Sequence, residues 1–201
     1  MSTYTLQYPE CSRALYHALD NDAFYRTLES TIEVGDPMHG MLKYLDYSIE
    51  EGRKYGTILM PTDDPYGVSV WSKPLPAQEQ QQCSREKKAF LLNNLGSQSL
   101  DTYTAIVEFM SAQTTSLVDK SAWYLSILGI SPERQGQGLG RQLVAPILEQ
   151  ADHVGVQTYL ETFTPRNKSF YQRLGFREAG VIYEPTAKAE YAVMVRDKTG
   201  V

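Results

Sequence analysis

Cysteine and histidine are scarce: two cysteines, Cys11 and Cys83, and three histidines in 201 residues. Two cysteines are too few for a disulfide framework, and no Cys/His cluster has zinc-site spacing, so no metal is expected. His39 and His153 lack a partner at the short separations of metal-binding helices, and His17 reads as an ordinary helix residue. Positive charge is also in deficit. Nineteen Lys plus Arg against 24 Asp plus Glu give a formal net charge of -5, which lacks the basic balance of a nucleic-acid coat. No run approaches the roughly 18 apolar residues of a membrane-spanning helix. The start MSTYTLQYPECSR has neither the positive end nor the long apolar stretch of a secretory signal. These absences lead to the expectation of a soluble, cytoplasmic chain with no nucleic-acid or membrane partner. They leave a monomer and a homodimer equally open.

What is present is enough for one substantial core, with 42% hydrophobic residues over the whole length, so residues 1–201 are read as a single domain. Weak alternation from Thr3 to Tyr8 predicts an opening edge strand. Apolar spacing predicts helices over Arg13 to Phe24 and Met38 to Tyr55, the second entered at Asp36-Pro37 and left at Gly52 and Gly56. Gly56 to Met60 and Tyr66 to Trp71, separated by prolines, aspartates and Gly67, read as a hairpin. Lys73 to Ser84, KPLPAQEQQQCS, reads as a connector. Two helices then divide around Gly96 and Ser97, with Ser99 as a cap for the second. Ala122 to Ile130 is the strongest strand signal. Its following helix should bend or break at Pro146, which removes one interior donor. Val156 to Phe163, Phe176 to Tyr183 and Glu190 to Arg196 complete the strands, with a short helix over Asn167 to Leu174. The alternation predicts a mixed α/β (α+β) class, a partly parallel twisted sheet flanked by helices.

The main chemical motif is Gln135-Gly136-Gln137-Gly138-Leu139-Gly140, directly after the Ala122 to Ile130 strand. Glycines let the backbone bend without a Cβ clash, and unpaired amides at a helix start donate to phosphate oxygens. The turn therefore reads either as an anion cradle flanked by Arg134 and Arg141 or as a tight structural turn. A dinucleotide fold fits poorly, since its glycines follow G-x-G-x-x-G early in the chain. The Gly-Lys-Ser/Thr ending of an NTPase loop is missing.

The run WYLSILGISPERQGQGLGRQLVAPILEQA, Trp123 to Ala151, resembles the cofactor-binding core of the GCN5-related N-acetyltransferase (GNAT) family, with Gln135, Gly138 and Gly140 in its Q-x-x-G-x-G positions. YLETFTPRNKSFYQRLGF, Tyr159 to Phe176, resembles the next strand, the asparagine-bearing helix and the Tyr-x-x-x-Gly-Phe segment, and is similar to the puromycin and related small-amine acetyltransferase branch. GVSVWSKP, Gly67 to Pro74, adds weaker support. The resemblance implies a GNAT-like acyl-CoA N-acyltransferase fold and acetyl-CoA as cosubstrate, bound between two splayed central strands. It implies that backbone groups near Leu128 and Ile130 guide the pantetheine arm and that Gln135, Gly136, Gln137, Gly138, Leu139, Gly140 and Arg141 receive the pyrophosphate. Asn167 resembles the residue that helps hold the arm; read locally, it is a helix N-cap.

The resemblance makes Tyr171 the proton donor to the departing thiolate, a role suited to a phenol with a reference pKa of about 10. Glu161, alternating against Leu160 on its strand, reads either as a base or amine contact, for which burial or a relay is needed, or as a strand-end acceptor. Phe24, Tyr25, Tyr44, Tyr47 and Trp71 are candidate walls of an amine pocket. Asp20, Asp22, Glu50 and Glu51 read foremost as a solvated acidic face. The expected function is transfer of acetyl to a primary amine of a small molecule or aminated natural product. The alternatives are a peptide or protein N-acetyltransferase and an inactive CoA-binding regulator.

Overall fold

The computed structural model describes residues 4–61 and 63–198. Three helices, α1 (Pro9–Ala18), α2 (Ala23–Glu29) and α3 (Pro37–Tyr55), precede β1 (Thr57–Leu59) and β2 (Gly67–Ser72). Two long helices follow, α4 (Ala77–Asn94) and α5 (Ser97–Thr114), then β3 (Trp123–Ile130), α6 (Leu139–Gln142) and α7 (Ala145–Val154). The chain closes with β4 (Thr158–Thr162), α8 (Lys168–Arg173), β5 (Arg177–Glu184) and β6 (Ala189–Arg196). The six strands form one mixed sheet in the order β1-β2-β3-β4-β6-β5. Its one parallel pair is β3 with β4, and the other neighbours run antiparallel. The mixed α/β class and the partly parallel sheet are as the sequence predicts. No helix among the described residues is long and apolar enough to cross a membrane.

Side-chain alternation sends each strand's apolar residues to two faces. On one face Val68, Val70 and Ile127 meet Leu15 of α1, Leu45 and Ile49 of α3, and Leu91 of α4. On the same side Ile106 and Met110 of α5 pack on Tyr191, Val193 and Val195 of β6. On the opposite face Trp71, Leu125, Leu160 and Met194 meet Val144, Ile147 and Leu148, together with Tyr171 of α8. Gly129 permits the close approach of α1, since a Cβ there would lie 2.5 Å from Leu15 Cδ2.

The structure departs from the sequence expectations at four places, each for a traceable reason. Thr3 lies outside the described residues, and Tyr4 to Tyr8 form no strand. Their polar groups go instead to the fully buried Asp46 of α3: the Tyr4 hydroxyl at 2.8 Å, Gln7 N–H at 3.0 Å and Tyr8 N–H at 2.7 Å. The expected Arg13 to Phe24 helix is two helices, because the Asp22 carboxylate accepts from Phe24 N–H and starts α2. Most of the supposed connector is the first half of α4, with only Lys73 to Pro76 left as a link. Gln78 through Gln82 are straight-chain residues that lose little rotamer freedom in a helix, and Pro76 takes the cap position. Ser99 does not cap α5; its hydroxyl donates to Thr31 C=O at 2.8 Å, while Glu33 accepts from Gln98 N–H at 2.9 Å. The break at Pro146 is as expected, with Leu143 and Val144 between α6 and α7.

Asp46 fixes the segment that leads into α1 and so sets α1 against β3. Asp46→Ala would strand two backbone donors and the Tyr4 hydroxyl, and is expected to cost about 3 kcal/mol in denaturant unfolding. A loss below about 1 kcal/mol would contradict this organising role.

Candidate functional site

The site begins with an irregularity in β3. Ser69 pairs with Leu128 and Val70 with Ile127, but Trp71 then pairs with Leu125, leaving Ser126 as an extra residue. Its hydroxyl donates to Val70 C=O at 3.0 Å. The bulge reverses the alternation: Leu125 and Ile127, two residues apart, lie in cores on opposite faces. Backbone directions reverse as well. Ser131 N–H donates to Tyr66 C=O at 2.7 Å, and a Cβ on Gly67 would sit 2.3 Å from the Gly129 oxygen. Gly129 and Ser131 therefore face β2, and the backbone groups of Leu128 and Ile130 face the other way. On that side β4 has parted from β3, since the parallel register covers only Trp123, Tyr124 and Leu125 against Thr158, Tyr159 and Leu160.

The glycine turn continues from this open edge. Gln135 folds back so that its side-chain amide donates to Ile130 C=O at 3.0 Å, tying the turn to the strand end. Gly136 and Gly138 both have φ of 77°, with open space where a Cβ would point. It is the left-handed backbone that requires glycine there. The N–H groups of Gly136, Gln137, Gly138, Leu139 and Gly140 find no acceptor among the described residues. Gly140 serves packing instead, since a Cβ there would meet the Phe170 ring at 3.2 Å. Of the flanking cations, Arg134 is paired with Asp64, and Arg141 is exposed.

Beside the splayed strands lies a cavity of about 430 Å³. Its walls include Leu128 of β3, Glu161 of β4, and Asn167 and Tyr171 from the α8 region. Phe24, Tyr25 and Tyr44 line it as expected, whereas Tyr47 and Trp71 do not. Tyr47 stacks on Phe90 with ring centroids 4.1 Å apart, and Trp71 is fully buried with its indole N–H on Ser69 Oγ. Asn167 does stand at the N-cap position of α8, but its side chain makes no cap bond there. Tyr171 packs in the core of the α6–α8 face and also lines this cavity, which reaches Tyr44 on the opposite face. The gap between β3 and β4 lets one side chain serve both.

Glu161 and Asp22 are two of the carboxylates that line this space. Glu161 accepts from Thr114 Oγ1 at 2.5 Å and from the Tyr124 hydroxyl at 3.0 Å. Burial raises its pKa above the ordinary 4.5, and those two hydrogen bonds offset the rise only in part. Asp22 was read from sequence as part of a solvated acidic face, yet it lines the cavity, accepting from Phe24 N–H at 3.0 Å and Thr164 Oγ1 at 3.3 Å. Burial raises its pKa too. The sequence signal was its place just before Ala23-Phe24 as a helix cap, which gives no hint of the cavity. Tyr171 is pushed well above the usual phenol value, by burial first and by the nearby Asp22 second. Among the described residues no group of three or more His, Cys, Asp or Glu is placed to hold a metal ion.

Residues 59–176 match the Acetyltransferase (GNAT) family. The uncharacterized N-acetyltransferase C550.08 of Schizosaccharomyces pombe is 33% identical over 81 residues, covering 39% of this chain and 33% of that protein. The match thus spans about a third of that relative's length. Among solved structures, the Corynebacterium glutamicum "histone acetyltransferase HPA2 and related acetyltransferase" superimposes with a TM-score of 0.67 at 20% identity, over 100% of this chain and 96% of that one. Arylalkylamine N-acetyltransferase 2 of Aedes aegypti gives 0.62 at 15% identity, over 98% of each chain. At these identities the structural likeness shows the fold, while the family match covers more than half of the sequence. The chain belongs to the GNAT acetyltransferase family.

Proposed function

We propose that this protein is an acetyl-CoA-dependent N-acetyltransferase that modifies a primary amine of a small molecule, and that residues 1–201 act as one catalytic domain. The observation that carries the reading is the continuity of one surface. The Leu128 and Ile130 edge leads into five unpartnered amides at the glycine turn, and the same edge opens onto a cavity holding Tyr171, Glu161 and Asp22.

The residues present fit the cosubstrate that the family uses. In this reading Gly136 through Gly140 donate to the pyrophosphate, Gln135 holds the turn in place, and Arg141 adds positive charge. Leu128 and Ile130 offer β-type backbone groups to the amide-bearing pantetheine arm, and Asn167 lies against it. The bound acetyl thioester supplies an electrophilic carbonyl and a sulfur leaving group. Glu161 and Asp22 hold the incoming ammonium. Glu161 first takes one proton from it, leaving the neutral amine whose lone pair attacks the carbonyl. The second proton that nitrogen sheds as the amide forms passes to the Tyr171 oxygen once Tyr171 has protonated sulfur. The raised pKa of Glu161 makes it a stronger base than an ordinary carboxylate. Tyr171 keeps its proton throughout the neutral range and gives it to sulfur as the carbon–sulfur bond breaks.

The small-molecule class is supported by the size and lining of the cavity. About 430 Å³ falls within the ordinary range for small-ligand sites. Aromatic walls from Phe24, Tyr25, Tyr44, Tyr103, Tyr124 and Tyr159 suit an organic amine better than an extended peptide. One fold relative is named for arylalkylamines.

Three measurements check this. Tyr171→Phe is expected to lower kcat by about 100-fold with chemistry rate-limiting; wild-type turnover would remove Tyr171 from the mechanism. Gly138→Glu, placing a side chain and negative charge on a left-handed position of the turn, should weaken acetyl-CoA binding at least tenfold, and unchanged affinity in the folded variant would relocate the pyrophosphate. For Glu161, the folded-state pKa lies above the unfolded value, so the wild type loses stability as pH rises through the window above 4.5. Glu161→Gln lacks this loss. Its Tm relative to wild type should therefore climb from pH 4.5 to 8, and a pH-independent difference would contradict a raised carboxyl.

A further inference from the structure

A part of the cavity wall remote from Glu161 is built from α3 and α4. Helix α3 packs against β1 and β2, and β2 lies two strands from β4, which carries Glu161. There Lys87, only 5% exposed, lies among Ser48, Glu51, Tyr44 and Tyr103, all of which line the cavity with it. Its ammonium donates to Glu51 Oε2 at 3.0 Å and Ser48 Oγ at 3.2 Å. The same nitrogen sits 4.9 Å from the centre of the Tyr44 ring, 4.8 Å from Tyr47 and 5.9 Å from Tyr103. A carboxylate, a hydroxyl and tyrosine faces around one nitrogen are the parts from which a receptor for an ammonium ligand is made. Here the receptor is filled by the protein's own side chain.

We infer that Lys87 is a specificity-determining residue: it occupies an ammonium subsite at the remote end of the acceptor cavity and thereby excludes amines that carry a second cationic group. The inference rests on the acetyltransferase reading above and narrows its substrate class to monoamines. Without Lys87, the remote end would present Glu51 and the tyrosine faces, while the reacting end presents Asp22 and Glu161. Such a cavity attracts a cation at both ends and favours a diamine. With Lys87 in place, Glu51 is neutralised, and a second ammonium meets like charge where it would need a partner. The remote end then accepts an uncharged or aromatic tail.

The test compares pentylamine, pentane-1,5-diamine and 5-aminopentanoate on the full chain, by kcat/KM and by calorimetric binding. Wild type should use pentylamine at least tenfold better than the diamine. Lys87→Met should narrow that preference tenfold or more and bind the diamine at least tenfold more tightly than wild type does. Lys87→Arg keeps a cation and should keep the preference. Glu51→Gln leaves the Lys87 charge uncompensated and should raise use of 5-aminopentanoate relative to pentylamine by tenfold. Equal use of the first two amines by wild type overturns the inference, as does a folded Lys87→Met with unchanged selectivity and unchanged diamine affinity. Should Lys87→Met fail to fold, Glu51→Gln decides, and an unshifted carboxylate preference overturns the inference. A wild type that binds amines and acetylates none contradicts the transfer reading instead, because the calorimetric comparison needs no turnover.

Discussion

Strand β3 carries one residue more than β2 across their shared register, and Ser126 is that residue. Had Ser126 taken a regular place in the ladder, the alternation that places Leu125 on the α7 face would place Ile127 there too, and Leu128 and Ile130 would direct their backbone groups into the β2 ladder. With Ser126 as an extra residue, the far half of β3 is turned over. Its outer edge then faces the space left where β4 diverges after three paired residues. Buried backbone groups normally find partners within the fold, so under the proposed function the edge left open in the middle of the six-stranded sheet is where a ligand's backbone-like groups would pair. The glycine turn extends that edge with further unpaired amides. The gap also admits Tyr171 from the opposite face.

The carboxylates at this gap carry a stability cost. Glu161 and Asp22 are both held where burial works against their charged forms, and each is only partly compensated by hydrogen bonds. Thr114 and Tyr124 grip Glu161 from α5 and β3 and fix its orientation across three elements. Natural proteins keep such unfavourable arrangements where function needs them. The tyrosines around the cavity keep apolar bodies in its walls and a polar edge for contact.

Much of this was legible in the sequence, and the failures have a common cause. Gly136 and Gly138 stand out because positive φ leaves a mark that other residues seldom satisfy, and Pro146 marks its helix break for an equally local reason. Leu128, Ile130, Asn167 and Tyr171 were singled out by motif resemblance alone, and they lie along one strand edge and its adjoining cavity. What was not legible depends on partners distant in the chain. Tyr4 to Tyr8 alternates like a strand but is organised by Asp46. Helix α5 is capped by Glu33 rather than by its own Ser99. Asp22 reads as part of a solvated acidic face until α2 is packed against α3 and α5, and nothing in the sequence singles out Lys87, which Tyr44, Tyr47 and Glu51 surround. The first half of α4 was missed because prolines and a glutamine run suggested a connector, although the glutamines themselves favour a helix.

The central claim is that the amides of Leu128, Ile130 and residues 136–140 are free in order to meet coenzyme A. Amide hydrogen exchange, resolved by residue with and without coenzyme A, measures this directly. The account predicts rapid exchange in the free protein at these positions and marked slowing on binding. Binding that leaves them unchanged while protecting another surface would contradict it.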